Sequence, residues 1–492
     1  MWDKYFSFLN KNKKTAISLF VIILIAIFFR FYNYSNRWGL ASDQARDAIL
    51  VLQALKTHSI PLIGPFSASG PFVFGPYMYW LLMIIGALFP FSFLSFWVGL
   101  GIISVIMVLV MVVIGKEIGD KSFGILLGFF TAISTRSDMS TNLIFSRLAG
   151  FASIISVYFL VKSIKYSRWR DYLFLGLFLG IAMNSHFQAV PLVFVLPISI
   201  FFGKRSIKNV VSLIGGFIVP FIPLIIFDLR SHFYESTHLI KYWFSPDAGD
   251  LPTRWITYLS VTWPEFWRVT IGGNYYVAIL LVALTSTMLL YYALKKKINK
   301  MLGAIIIIYI FIFILLRYFT GPISIDFTAF INPFILIPIV WVLWKIKNRN
   351  KYFGLALILV VSIFTIATSY DSIVSATNYS SSNAKMLEKI IVEKFPKNSK
   401  FSIYDYKYKN TEISLPLVLY LNQDGKISDS GIRIGVSESI IPNVQLNYFE
   451  KGRYTEFLYT LENFSDKTLT KNGWVSVDPS NVYTSIEDWY KN

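Results

Sequence analysis

Four groups of residues in this 492-residue chain combine carboxylates, cations and rings in patterns that suit group transfer. The first is "SDQARDA", where Asp43 and Asp47 stand four apart with Arg46 between them in angle if the segment opens a helix. Arg30 and Arg37 precede it. A carboxylate can take or orient the proton of an attacking hydroxyl, and a neighbouring cation can hold a phosphate leaving group. The plain alternative is a surface salt bridge on a loop helix. The second group is "TRSDMSTNLIFSR", with Arg136, Asp138 and Arg147; alternatively it is an ordinary short connection. The third is "NSHFQ", where His186 can donate to a phosphate oxygen or a carbonyl, or be a satisfied structural group. The fourth is "FDLRSHFYES", with Asp228, Arg230, His232 and Glu235. It opens a loop rich in Trp and Tyr that reads as a sugar or carrier platform, or as an interfacial aromatic belt. Asp326, beside Arg317, ranks as structural or as phosphate-side support.

The elements that position these groups are membrane spans. Residues are 55% hydrophobic and only 15% charged, and aromatics reach 17%. Apolar runs able to cross about 30 Å of hydrocarbon recur as far as residue 369. They lie near 15–31, 94–114, 118–133, 143–161, 172–183, 189–202, 210–227, 276–294, 301–316, 330–344 and 353–368. The net charge of +18 reads as basic cytoplasmic loops facing anionic lipid, not as a nucleic-acid surface. There is no cysteine, so disulfides and thiolate chemistry are excluded. The basic start leads into an apolar run with no small-residue cleavage site after it, so no cleavable signal peptide is expected.

One further apolar segment, 72–90, decides the topology. If it crosses, every later loop changes side. If it does not, the N-terminus and the basic loops at 116–121, 162–170, 204–208, 295–300 and 345–351 all fall inside, with 21 basic residues against nine outside. The two prolines and two glycines of "GPFVFGPYMYW" also suit a segment lying in protein rather than lipid. The expected fold is an all-α polytopic membrane protein of about eleven spans, N-terminus cytoplasmic, with the four groups on the outer face. Past residue 370 the composition turns polar. A helix (384–395), a strand (401–406) and the strand-like "VLYLNQDGKISDSGIRIGV" predict a small extracytoplasmic α/β domain over 370–492, after a membrane domain over 1–369.

No HExxH, paired DxD, EF-hand, P-loop or dinucleotide fingerprint occurs. No cofactor is therefore expected, a divalent metal being the one open alternative.

With the acidic first loop and the "PLIGPFSASGPFVFGPYMYWLLM" that follows it, the chain resembles the GT-C membrane glycosyltransferases. Within them it is most similar to family 39, the protein O-mannosyltransferases and aminoarabinose transferases. The resemblance runs over roughly residues 20–345 and includes "FDLRSHF" and Phe330–Pro333. It implies a polyprenyl-phosphate sugar donor, an acceptor on the outer face (protein, lipid or glycan), and inverting transfer without a nucleotide. It matches Asp43 to the family's essential acid and Asp138 to a second acid, and Gly75–Trp80, with Tyr77, to the family's Gly/Pro/aromatic stretch. The chain departs from the mannosyltransferases at Gln44, where they carry an acid, and has His186 where relatives often have lysine. The expected catalytic set is Asp43, Asp47 and Asp138, with Arg46, Arg136, Tyr77, His186, Asp228 and Arg230 on substrate. Alternatives are a lipid-linked polysaccharide polymerase or ligase, a flippase, and a non-catalytic scaffold. A flippase would carry its charges in a cavity within the spans, whereas here they gather at the outer boundary.

Overall fold

The computed structural model describes residues 13–67, 72–90, 92–134, 145–244, 255–319, 326–377, 379–406, 411–437, 447–451, 457–461 and 465–477. Eight of its helices are long and apolar enough to cross a membrane. They are α1 (Lys13–Phe31), α4 (Ser95–Ile118), α6 (Phe145–Tyr166), α9 (Ile207–Arg230), α12 (Tyr275–Leu294), α13 (Lys300–Arg317), α14 (Asn332–Arg349, extended back to Phe327 by a 3-10 turn) and α15 (Lys351–Val374). The remaining three expected spans are shorter helices: α5 (Lys121–Ile133), α7 (Trp169–Ser185), and a 3-10 turn over Phe187–Phe194 that runs into α8 (Val195–Phe202).

The segment expected not to cross contains α3 (Tyr77–Leu88), which at 12 residues is about 18 Å long, well short of the hydrocarbon thickness. Before it, Phe66 and Val73 form an isolated antiparallel bridge. Pro76 stands as the helix N-cap, so its missing N–H costs no helical bond.

Why these helices pack is visible in two places. Helix α14 is 94% buried, against 22–67% for the other spans, and forms the axis of the bundle. Its core run from Pro333 to Leu343 is apolar on every side, as a helix shielded all round must be. Between α7 and α9 the backbones touch. A Cβ at Gly176 would lie 2.1 Å from the Leu213 carbonyl, and one at Gly216 2.1 Å from that of Leu173. Small residues admit this approach where lipid supplies no hydrophobic drive between helices.

Two arginines, one in the last turn of α1 and one just past it, are structural. Arg30 is fully buried; its Nη2 donates to the Thr131 carbonyl at 3.0 Å, its Nη1 to that of Ala132, and its Nε to Ser104 Oγ at 3.2 Å. It thereby caps the C-terminus of α5, where carbonyls lack intrahelical partners. Arg37 turns back to the carbonyls of Phe29 and Tyr32, at 3.1 and 2.9 Å, and caps α1.

Past α15 come α16 (Ser381–Lys394), β1 (Phe401–Tyr406), α17 (Thr411–Gln423), β2 (Ile432–Ser437), β3 (Asn447–Lys451), β4 (Phe457–Thr460), α18 (Asp466–Lys471) and β5 (Trp474–Ser476). The five strands form one sheet in the order β3-β4-β2-β1-β5. Strands β1 and β2 are parallel, with α17 as their crossover, and the other pairs are antiparallel. The expected helix and first strand are present. The expected strand at "VLYLNQ" is instead the end of α17. Its alternation misleads because the helix is buried on two sides: Leu417, Val418 and Leu421 pack on the sheet, while Leu419 and Tyr420 enter the core of the membrane bundle.

Candidate active site

The first charged group lies on α2 (Ser42–Thr57), a helix of the first loop, and the i,i+4 geometry is realised. Arg46 Nη1 meets Asp43 Oδ1 at 2.6 Å, and its Nε meets Asp47 Oδ1 at 3.0 Å. The two carboxylates differ in setting. The Asp43 side chain is 60% exposed, whereas that of Asp47 is 2% exposed. Tyr79, from α3, donates its hydroxyl to Asp47 Oδ1 at 2.9 Å. Burial pushes the Asp47 carboxyl up to about 6, against the opposing pull of Arg46 and Tyr79. Asp47 therefore anchors the guanidinium from the protein side, and Arg46 presents Asp43 outward. Tyr79 was not singled out from the sequence. Its signal was there, a tyrosine three residues past the Pro76 that opens α3, but only the packing of α3 on α2 turns it toward Asp47.

A second group surrounds the loop before α3. The His186 ring is stacked between Phe74 and Phe327, with centroids 5.4 and 4.6 Å away. Its Nδ1 accepts from the Gln188 amide at 3.2 Å, which leaves Nε2 to carry the proton. Burial pushes this histidine down to about 4, so it is neutral near pH 7 and acts as a hydrogen-bond donor, not a cation. Helix α10 (Tyr234–Phe244) closes over the same loop. Buried Glu235 accepts the Val73 amide at 3.0 Å, and Tyr242, seven residues on, meets Phe72 at a centroid distance of 5.0 Å. Burial pushes Glu235 up to about 7. The sequence had marked Glu235 within its motif without giving it a role.

These walls enclose a cavity of about 280 Å³. It is lined mainly by apolar residues, among them Phe72, Phe187, Val190, Leu239 and Leu316, with His186 and Gln188 as polar members. At the nearby end of α13, Arg317 is 7% exposed, and its guanidinium lies over Trp255 at 5.4 Å. Its Nε and Nη1 are buried and find no acceptor among the described residues. An arginine closing an apolar span was the available signal.

Other expected residues are otherwise engaged. Asp228 accepts Ser236 N at 3.1 Å and the Ser236 hydroxyl, so it caps the N-terminus of α10. The Tyr77 hydroxyl donates to the Pro220 carbonyl at 2.5 Å and ties α3 to α9. Arg230 is exposed at the end of α9. Arg136 and Asp138 lie outside the described residues, as does the side chain of Asp326. Among the described residues no group of three His, Asp or Glu could hold a metal ion.

Residues 71–227 match the family model described as dolichyl-phosphate-mannose-protein mannosyltransferase. No curated protein sequence matches the chain. Among solved structures, apo ArnT from Cupriavidus metallidurans is similar with a TM-score of 0.62 at 9% identity, over 91% of this chain and 98% of that one. The same protein bound to undecaprenyl phosphate gives 0.56 at 10% identity, over 90% and 97%. The apo oligosaccharyltransferase of Archaeoglobus fulgidus gives 0.50 at 14% identity. That match covers 78% of this chain, which spans 58% of the archaeal chain. The resemblance read from the first loop is borne out: the fold is of the GT-C type, family-39-like, with a small sheet after the membrane helices.

Proposed function

We propose that this protein is a membrane glycosyltransferase that moves a sugar from a polyprenyl-phosphate carrier to an acceptor hydroxyl on the extracytoplasmic side. The observation that carries this reading is an exposed, arginine-held carboxylate on α2, joined to an apolar cavity edged by a neutral histidine through Phe145, whose ring meets those of Tyr79 and Phe74 at 4.9 and 6.4 Å. It is supported by the likeness to a protein solved with undecaprenyl phosphate and by the mannosyltransferase family model.

In the proposed reaction the acceptor oxygen attacks the anomeric carbon. The bond from that carbon to the phosphate oxygen breaks, the acceptor proton passes to Asp43, and the polyprenyl phosphate leaves with the bonding pair. Arg46, held by Asp47 and Tyr79, orients Asp43. Phosphate oxygens are met by the Nε2–H of His186, by exposed Arg230, and by Arg317, whose buried donors want an anionic acceptor. Asp138 is proposed as a second acid of the reaction, and Arg136 as a further cation. The first isoprene units lie in the apolar cavity. The transfer is proposed to run without a metal.

The test is purified protein in lipid with a radiolabelled polyprenyl-phosphate sugar. Label passes to the acceptor, EDTA leaves the rate unchanged, and Asp43→Ala lowers it about a thousandfold while the protein stays folded. Unchanged transfer by Asp43→Ala removes this carboxylate from the reaction.

A further inference from the structure

Helix α2 begins without a competent cap. Its N-cap is Ala41, whose methyl group cannot accept from the free amides of the first turn, where Ser, Thr, Asp or Asn ordinarily stands. Gln44 turns back to the Ala41 amide at 2.9 Å, which leaves the Ser42 amide to find an acceptor elsewhere. It finds one 370 residues away: Glu412 Oε2, at the start of α17, accepts the Ser42 N–H at 3.1 Å. The carboxylate also complements the positive end of the α2 dipole. The next residue along α2 is Asp43.

This contact belongs to a built seam. Helix α17 lies along α2 in the same direction: Glu412 sits at the start of α2, while Leu419, Asn422 and Gln423 share a cleft with Leu52, Leu55 and Lys56 near its end. Tyr420 packs on Phe93 at 4.9 Å, and Gln423 meets the Ser92 hydroxyl at 3.1 Å. On the other side of Ala41, Leu40 N donates to the Tyr379 carbonyl at 2.7 Å, and Gly39 bridges Ser380. The segment that leads into Asp43 is thus held between two stretches of the C-terminal region.

We infer that Glu412 is a positioning residue for the transfer reaction: the C-terminal domain supplies the missing N-terminal cap of α2 and so fixes the direction of Asp43 and Arg46. The inference rests on the transferase reading for its kinetic arm only. The domain is then a working part of the site and not an appended module.

The experiment compares wild type, Glu412→Ala and Glu412→Gln, each full-length in nanodiscs, by hydrogen exchange and by transfer kinetics. Glu412→Ala raises exchange in residues 41–46 about tenfold, the size of a lost hydrogen bond to a charged group. It lowers kcat by a similar factor and leaves the donor KM unchanged. Glu412→Gln keeps an acceptor and restores both. Wild-type exchange in Glu412→Ala overturns the inference. So does a rise spread equally through the C-terminal sheet, which marks a merely structural role, and so does a glutamine variant as defective as the alanine one. If the wild type transfers no sugar, the functional reading fails, and the exchange arm still decides whether Glu412 holds α2.

Discussion

The cluster on α2 and the cavity behind the loop before α3 solve opposite problems with the same residue types. On α2 a buried carboxylate keeps its arginine at 3.0 Å, and a second, exposed carboxylate shares it. Around His186 the ring is packed between two phenylalanines, and the nearby carboxylate of Glu235 meets a backbone amide instead of a cation. The first arrangement preserves charge and points it outward. The second suppresses charge and leaves room for something apolar. Both pKa shifts in these carboxylates arise chiefly from burial, and only Asp47 has a cation to oppose it. A lipid-linked sugar needs both environments within reach of each other, one for bond making and one for the carrier.

Asp47→Asn is the sharpest way to break this contrast. It keeps the shape but removes the charge that anchors Arg46, and transfer is expected to fall about a hundredfold. The pH–rate profile adds a second reading. Wild-type activity declines as pH drops through about 6, where the Asp47 carboxyl takes up its proton, while the asparagine variant is flat there. A variant with the wild-type acid limb would show that Asp47 is not the group that titrates.

Val190→Trp acts on the other side of the comparison. A large ring placed in the cavity wall should raise the donor KM about tenfold, with kcat changing less, if the carrier occupies that space. An unaltered KM at full occupancy of the folded state would place the carrier elsewhere.

The smallest effect is expected from Glu235→Gln. The folded protein binds the proton of Glu235 more tightly than the unfolded chain does. The stability this gives is present below the unfolded value near 4.5 and is lost as pH rises through about 7. The glutamine variant cannot ionise, so its melting temperature should gain on the wild type between about pH 5 and pH 8. Parallel melting curves at every pH would show that this carboxyl is not desolvated in the native protein.

How much of this was legible in the chain differs between the two regions. The Asp43/Arg46/Asp47 triad follows from spacing alone, because residues three and four apart share a helix face wherever the helix lies. The shortness of the helix within 72–90 was legible in its prolines and glycines: α3 has only 12 residues. Arg30 was grouped with the site but belongs to the cap of α5, a partner 101 residues away that no local pattern encodes. Asp228 was read as substrate-binding and instead caps α10, which begins six residues later; the short range made that legible in principle.

By itself the sequence determined the membrane class, the order of apolar segments, and which residues on α2 share a face, because hydropathy and helical period are local properties. Only the tertiary structure decided that Asp47 is the buried carboxylate and Asp43 the exposed one, that Tyr79 and Glu412 serve α2, and that His186 is neutral. Each of those depends on what another part of the chain excludes from water or brings within hydrogen-bond reach, and burial and distance exist only once the helices have packed.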